Sequence, residues 1–251
     1  MRKEVVLSAR LQSLAKMVTP GCRVCDVGCD HGYLSIYLIR KQISPSVIAM
    51  DVRTGPLSRC EEHVQEYGLE EYIQIRLSDG LAKLKPGEAD EVVCAGMGGR
   101  LMMKILQEGR VAAQKLHALI LQPQSELKAF REFLRKEGYR ITAEDMVEED
   151  GKFYPMMKVV YVGAAAEDAR VEKVAQAAVC KETAESVYDR FGEYLLKSRN
   201  PVLLRFLEYR RGVLQSIRER IGTSDAVERL SEIDSEFRDI EAAVKYYENR
   251  G

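Results

Sequence analysis

Asp26-Val27-Gly28-Cys29-Asp30-His31-Gly32-Tyr33 is the stretch on which the fold turns. It follows Arg23–Val27, which reads as a short buried strand, and opens Tyr33–Lys41, which reads as a helix. A strand passing through a glycine turn into a helix is the context a cofactor loop needs. Gly28 permits the tight turn, and Gly32 lets a ligand or the helix approach closely. A dinucleotide loop reads G-x-G-x-x-G and leaves bare amides for a pyrophosphate. Here the pattern is D-x-G-x-D-x-G, and the carboxylates of Asp26 and Asp30 would repel a pyrophosphate. They suit a cofactor with a cationic amine and a sulfonium, which describes S-adenosylmethionine; a nicotinamide oxidoreductase is disfavoured by the same two acids.

Working outward, strand-like and helix-like runs alternate. Leu7–Met17 reads as a helix stopped by Thr19-Pro20-Gly21. Ser46–Val52, Ile73–Leu77, Glu91–Ala95 and His117–Gln122 read as strands; Leu57–Tyr67, Arg100–Gln107 and Ser125–Glu137 read as helices. Tyr139–Val147 and Phe153–Val162 then follow as two strands joined by an Asp150-Gly151 turn, a short hairpin signal. The expected fold is α/β: a Rossmann-like, doubly wound, mostly parallel sheet ending in an antiparallel hairpin. Parallel sheets hold ligands beyond the carboxyl ends of their strands, so the loops after Val27, Met50, Leu77 and Ala95 should share one site. Asp51 ends the second strand, roughly 20 residues past the loop, where a ribose-binding acid belongs. Asp79-Gly80 follows the third, with an acceptor for an adenine amino group and space for the ring. The fourth ends in the bare loop Ala95-Gly96-Met97-Gly98-Gly99, which leaves room for a flat base.

Composition narrows the function classes. The 251 residues carry 38 basic and 39 acidic side chains, a formal charge of -1, so no global electrostatic argument favours a nucleic-acid or membrane partner. No run approaches the ~20 apolar residues of a membrane span, and Met1–Ser8 lacks the apolar core of a signal peptide; a cytoplasmic location is the expectation. Cys22 and Cys25 form a CxxC, but no second pair exists and Cys25 lies in a strand, so no metal is expected and the thiols read as reduced and packed. Cys94 sits inside a strand rather than a Pro-Cys loop, which argues against a cytosine-C5 nucleophile. No Asn-Pro-Pro-Tyr segment follows the fourth strand, which argues against exocyclic amino methylation.

After Gly163 the character changes, dividing the chain into residues 1–163 and a helical domain, residues 164–251. A helix over about Glu167–Lys197 should lead into two longer ones. Leu203, Leu207, Leu214, Ile217 and Ile221 follow heptad-like steps broken at Arg210. Ala226, Leu230, Ile233, Phe237, Ile240, Val244 and Tyr247 recur in 4-3 steps. Gly222-Thr223-Ser224-Asp225, with Glu228, reads as a helix stop followed by a capping box. The expectation is an antiparallel coiled-coil hairpin that grips RNA or serves as a dimerisation or stability element.

The loop Asp26–Leu34, the Ala95-Gly96-Met97-Gly98-Gly99 segment, Leu121-Gln122-Pro123 and the helical C-terminus together resemble the bacterial tRNA (adenine-N1)-methyltransferases. The resemblance covers essentially the whole chain. Cys29 stands where that family more often has serine, and Asp51 where glutamate is also common. The resemblance implies S-adenosylmethionine as cofactor and N1 of adenine 22, in the tRNA D-arm, as target; alternatives are another RNA or small-molecule substrate, or a cofactor-binding scaffold acting through the coiled coil. It implies that Asp26, Gly28, Asp30, Gly32, Asp51, Asp79, Gly80, Met97 and Gly98 bind the cofactor. Arg10, Gly96, Gly99 and Gln122 fall to the substrate side, with Asp30, His31 and Tyr33 as catalytic candidates. Tyr33 can stack on a flipped base or serve as the first core residue of its helix, a role its spacing to Tyr37 favours slightly. Basic residues for the tRNA backbone are Arg2, Lys3, Arg10, Lys16, Arg53, Arg100 and Lys104, with Arg199, Arg205, Arg210 and Arg211 on the tail. The oligomeric state is open between a monomer and a coiled-coil dimer.

Overall fold

Five strands, β1 (Val24–Val27), β2 (Val47–Asp51), β3 (Ile73–Leu77), β4 (Glu91–Met97) and β5 (Ala118–Pro123), lie parallel in the computed structural model, which describes residues 4–163, 178–220 and 227–248. Two more, β6 (Tyr139–Glu149) and β7 (Lys152–Tyr161), form an antiparallel hairpin. The sheet order is β3-β2-β1-β4-β5-β7-β6. Asp150 and Gly151 both take positive φ, 51° and 70°, as a two-residue primed turn requires.

The helices of the sheet region are α1 (Ala9–Met17), α2 (Tyr33–Arg40), α3 (Thr54–Tyr67), α4 (Gly99–Glu108), the short α5 (Arg110–Ala113) and α6 (Leu127–Lys136). β1 and β2 are buried along their whole length because both faces are covered, the signature of a parallel sheet. Alternation along β2 sends Ile48 and Met50 toward α4 and α6, where Met102, Phe130 and Leu134 wait. It sends Val47 and Ala49 the other way, toward Leu14 of α1, Ile36 of α2 and Leu57 of α3. α1 starts two residues later than its apolar pattern, because the Ser8 hydroxyl caps it by accepting from Leu11 N at 3.4 Å.

The tail departs from its expectation in three ways. The leading helix is seen from α7 (Ala178–Phe191), and Gly192, at φ 95°, separates it from α8 (Glu193–Lys197). A side chain at Gly192 has no room, since its Cβ would lie 2.6 Å from the Glu144 carboxylate. Next, α9 (Pro201–Arg220) and α10 (Val227–Glu248) pair antiparallel, with Arg218 opposite Asp234 and Arg211 opposite Glu241. Their seam also packs on Met146 of β6 and on Val187 and Phe191 of α7, so this hairpin is one side of a docked helical layer rather than a free-standing pair. Third, Arg210 breaks the heptad without breaking the packing: Nε and Nη2 donate to the Glu236 carboxylate at 2.6 and 3.0 Å. The Gly222–Asp225 connection, its Glu228 partner's side chain and residues 164–177 lie outside the described residues. Among the described residues, no helix is long and apolar enough to cross a membrane.

Candidate active site

The carboxyl ends of β1, β2, β3 and β4 open onto one cavity of about 520 Å³, within the roughly 300–1,000 Å³ of ligand clefts. The turn after β1 is pinned because Gly28 N and Cys29 N both donate to Met50 O, at 2.8 and 2.9 Å. Gly28 has φ 75°, and a Cβ there would overlap the Met97 methyl, so the β1 and β4 loops meet only across a bare residue. Asp30 also sits in the left-handed region, φ 51°, which aspartate tolerates better than most side chains.

Of the residues singled out from sequence, Asp26, Gly28, Asp30, His31, Tyr33, Asp51, Asp79, Gly80, Gly96, Met97 and Arg10 line this cavity. Asp26 is buried and accepts from the Ser35 hydroxyl at 2.7 Å. Burial pushes its carboxyl up to about 6; the Ser35 hydrogen bond opposes the rise and the Asp51 charge adds to it. Asp51, also buried, accepts from Arg53 N at 2.9 Å through Oδ1. Asp79 is exposed at the rim, and Gly80 is held against Ile105, whose side chain a Cβ would meet at 2.9 Å. His31 Nε2 lies 3.6 Å from Asp30 Oδ2. Tyr33 is 42% exposed, which removes the core reading of its ring.

Four singled-out residues stand behind the wall rather than on it. Gly32 is packed against Cys60, whose Sγ a Cβ would overlap. Gly98 and Gly99 fit closely against Ser125, and Gly99 N donates to its hydroxyl at 3.2 Å. Gln122 is fully buried; its Oε1 accepts from Arg10 Nη1 and from Gly96 N, each at 3.1 Å. Gln124, two residues on, lines the cavity instead: β5 ends at Pro123, so Gln124 lies beyond the strand and is not bound to the face that Gln122 occupies.

Sequence reasoning missed several neighbours. Ser78 knits the Asp79-Gly80 turn, donating to Gly80 O at 3.0 Å and accepting from Lys83 N at 3.2 Å. His63, on α3, contacts His31 O through Nδ1 at 2.9 Å, and its ring centroid is 4.8 Å from that of Tyr33. No local pattern marks His63, since it reaches the loop only through packing. Cys94 is buried, and burial pushes its thiol up to about 12, consistent with a packed thiol rather than a nucleophile. Most basic candidates carry carboxylate partners: Arg53 with Asp51 at 3.6 Å, Arg100 with Glu126 at 3.3 Å, Arg205 with Glu148 at 2.8 Å. Arg2 and Lys3 lie outside the described residues.

Four acids around a cleft, one of them buried with its proton held near neutrality, fit a ligand with a cationic end and a hydroxylated ring. In the loop after β1, Asp26 and Asp30 stand where a dinucleotide loop leaves bare amides for a pyrophosphate. Comparison with known proteins agrees. The model of the methyltransferase-domain family matches residues 7–157. The tRNA (adenine(22)-N(1))-methyltransferase of Bacillus subtilis (strain 168) is 32% identical over 234 residues, 92% of this chain and 93% of that protein. The crystal structure of a putative tRNA (m1A22) methyltransferase from Streptococcus pneumoniae covers 95% of this chain and 100% of its own, at 30% identity and a TM-score of 0.81. The same protein in complex with S-adenosyl-L-methionine gives a TM-score of 0.78 at 30% identity. A family model over more than half the chain and a relative matched along nearly all of it lead to one conclusion: the chain belongs to the methyltransferase-domain family and, within it, to the tRNA (adenine(22)-N(1))-methyltransferases.

Proposed function

We infer that this protein transfers a methyl group from S-adenosylmethionine to N1 of adenine 22 in tRNA. The observation that carries the reading is the single cleft where Asp26, Asp30, Asp51 and Asp79 meet the bare β4 loop. In this reading Asp26 and Asp30 face the cationic end of the cofactor, Asp51 takes the ribose hydroxyls, and Asp79 with Gly80 takes the adenine. Met97 closes the cleft from the β4 side, while Gly32 and Gly98 keep its walls thin. When bound, S-adenosylmethionine supplies a methyl group on a sulfonium leaving group.

The chain's own contribution is alignment and charge. Neutral adenine N1 carries a lone pair and needs no covalent helper, so holding it in line with the methyl supplies much of the acceleration. Tyr33, backed by His63 and exposed at the rim, offers a ring face to the unstacked base. The methylated base is cationic, and Asp30 beside His31 stabilises that charge or accepts a hydrogen bond from N6. Gly96 leaves the base room, with Arg10 at the same end of the cleft and Gly99 and Gln122 supporting that end from behind. Residues 1–163 act as the methyltransferase domain and residues 164–251 as a helical domain that meets tRNA. A tRNA substrate makes the cytoplasm the place of action.

An unmodified tRNA transcript and the methyl donor test this directly. Primer extension should stop one nucleotide before adenine 22 after incubation with the enzyme, because an N1 methyl blocks the Watson–Crick edge. A transcript with guanine at that position should take up no methyl. Incorporation without a stop, or a stop elsewhere, would reject the target.

A further inference from the structure

Arg10 differs from the other basic residues at the cleft. Its guanidinium is held by neutral groups: Nη1 donates to Gln122 Oε1 at 3.1 Å, and its central carbon lies 5.5 Å from the Tyr154 ring centroid. Among the described residues it has no carboxylate within ion-pairing distance, whereas Arg53, at the other end of the cleft, lies beside Asp51. Gln122 is fully buried, its Oε1 accepting from Arg10 and Gly96 and its Nε2 donating to Pro123 O at 3.3 Å. A buried amide held by three hydrogen bonds is a rigid support. It fixes the guanidinium against Gly96, where a Cβ would lie 3.6 Å from Nη1. Among the described residues the remaining N–H donors of Arg10, four of the five an arginine carries, make no hydrogen bond and can serve a ligand.

We propose that Arg10 is an oxyanion anchor of the cleft, and that Gln122 is the positioning residue that aims it. The proposal rests on the reading of Asp51 as the ribose acid. Strand order then gives the ligand a direction. Asp51 ends β2 and Gly96 lies near the end of β4, on either side of β1, so two strand spacings, roughly 10 Å, separate them. A nucleoside amino acid with its purine toward β3 and ribose at β2 carries its sulfur past the Gly28 turn and its amino-acid end toward β4. Asp26 supplies an acceptor for the ammonium along that path, and Arg10 supplies the donor for the carboxylate. An RNA phosphate offers the same chemistry, a singly charged oxyanion, from the substrate side.

Calorimetric binding to the purified full chain separates these sources. The probes are S-adenosylhomocysteine and 5′-methylthioadenosine, which keeps the purine, ribose and sulfur but lacks the amino-acid end. Arg10→Met should weaken S-adenosylhomocysteine about 10- to 100-fold, the range of a lost charge-assisted hydrogen bond, and leave methylthioadenosine unchanged. Gln122→Glu should weaken the same ligand selectively, because a carboxylate there neutralises Arg10 while keeping its place. Unchanged S-adenosylhomocysteine binding with a raised KM for tRNA, and a salt dependence of tRNA binding lowered by about one ion, would keep the anchor and assign the oxyanion to the RNA. Equal loss of both nucleosides, or no loss in either arm, would overturn the proposal. Wild-type methylation of adenine 22 is read separately, so failure of the functional reading is distinct from failure of the anchor.

Discussion

Asp26 carries a conflict between stability and function. It is a buried acid with its carboxyl pushed up to about 6 from an ordinary 3.8. The folded state therefore holds a proton that the unfolded chain releases, and the sign follows: stability present below pH 3.8 is lost as pH rises to about 6, by about 3 kcal/mol. Asp26→Asn removes that loss while keeping the shape, so the ligand-free variant should melt several degrees above wild type at pH 8 and equal to or below it at pH 4. A cationic ligand prefers the ionised form. Affinity of the wild type for S-adenosylhomocysteine should be flat above pH 6 and fall up to tenfold per unit below it, and in Asp26→Asn it should be weaker and lack this dependence. A pH-independent wild type would remove Asp26 from the cation's neighbourhood. At this scale the acids Asp26, Asp30, Asp51 and Asp79 were legible because each lies close to the carboxyl end of a strand. His63 and Gln124 were not, because only the folded chain brings α3 against His31 and Tyr33 and the residue after β5 to the cleft.

Between elements, the decisive joint is Arg131 of α6 with Glu144 of β6. Both side chains are buried, Nε and Nη2 each lie 2.9 Å from Glu144 Oε1, and Nη1 donates to Asp189 O at 3.0 Å. Glu144 Oε2 in turn accepts from Tyr194 N at 3.0 Å, so one carboxylate ties β6, α6 and α8 together. Arg131→Met fills the volume but leaves Glu144 buried and uncompensated, which costs about 3–5 kcal/mol. The urea midpoint should fall accordingly, and Arg131→Met with Glu144→Gln should recover much of the loss. If the single variant is neutral, the joint does not hold the tail. The elements themselves were largely legible: Ile73–Leu77 matches its strand at both ends, and Asp150-Gly151 makes the primed turn. The short α5 was missed because four residues cannot establish a helical period. The break at Gly192 was missed because its cause, Glu144, is 48 positions away.

For the whole molecule, the tail shares its core with the sheet. Met146 of β6 is buried among Phe191, Leu195 and Leu203, and Phe153 of β7 packs edge-on to Phe206 with centroids 5.3 Å apart. Unfolding monitored by sheet and tail probes should therefore give coincident transitions. Two separated transitions would mean that the helical layer unfolds on its own. Removing residues 164–251 should lower the urea midpoint of the remainder, since Met146, Arg131 and Glu144 all lose their cover. Loss of methylation in that truncation is interpretable only alongside retained S-adenosylhomocysteine binding.

The sequence by itself determined the alternation of strands and helices, the hairpin, the cofactor loop and the acids at successive strand ends. These are local facts, written in periods of two and 3.6 residues and in the demands of positive φ on glycine and aspartate. Tertiary structure decided what distance along the chain conceals. It inserted β7 between β5 and β6, docked the helical layer on β6, and moved Gln122 from the cleft wall to the support behind Arg10. A buried hydrogen bond or a shared core forms between residues a hundred positions apart, and no local period records which of them will meet.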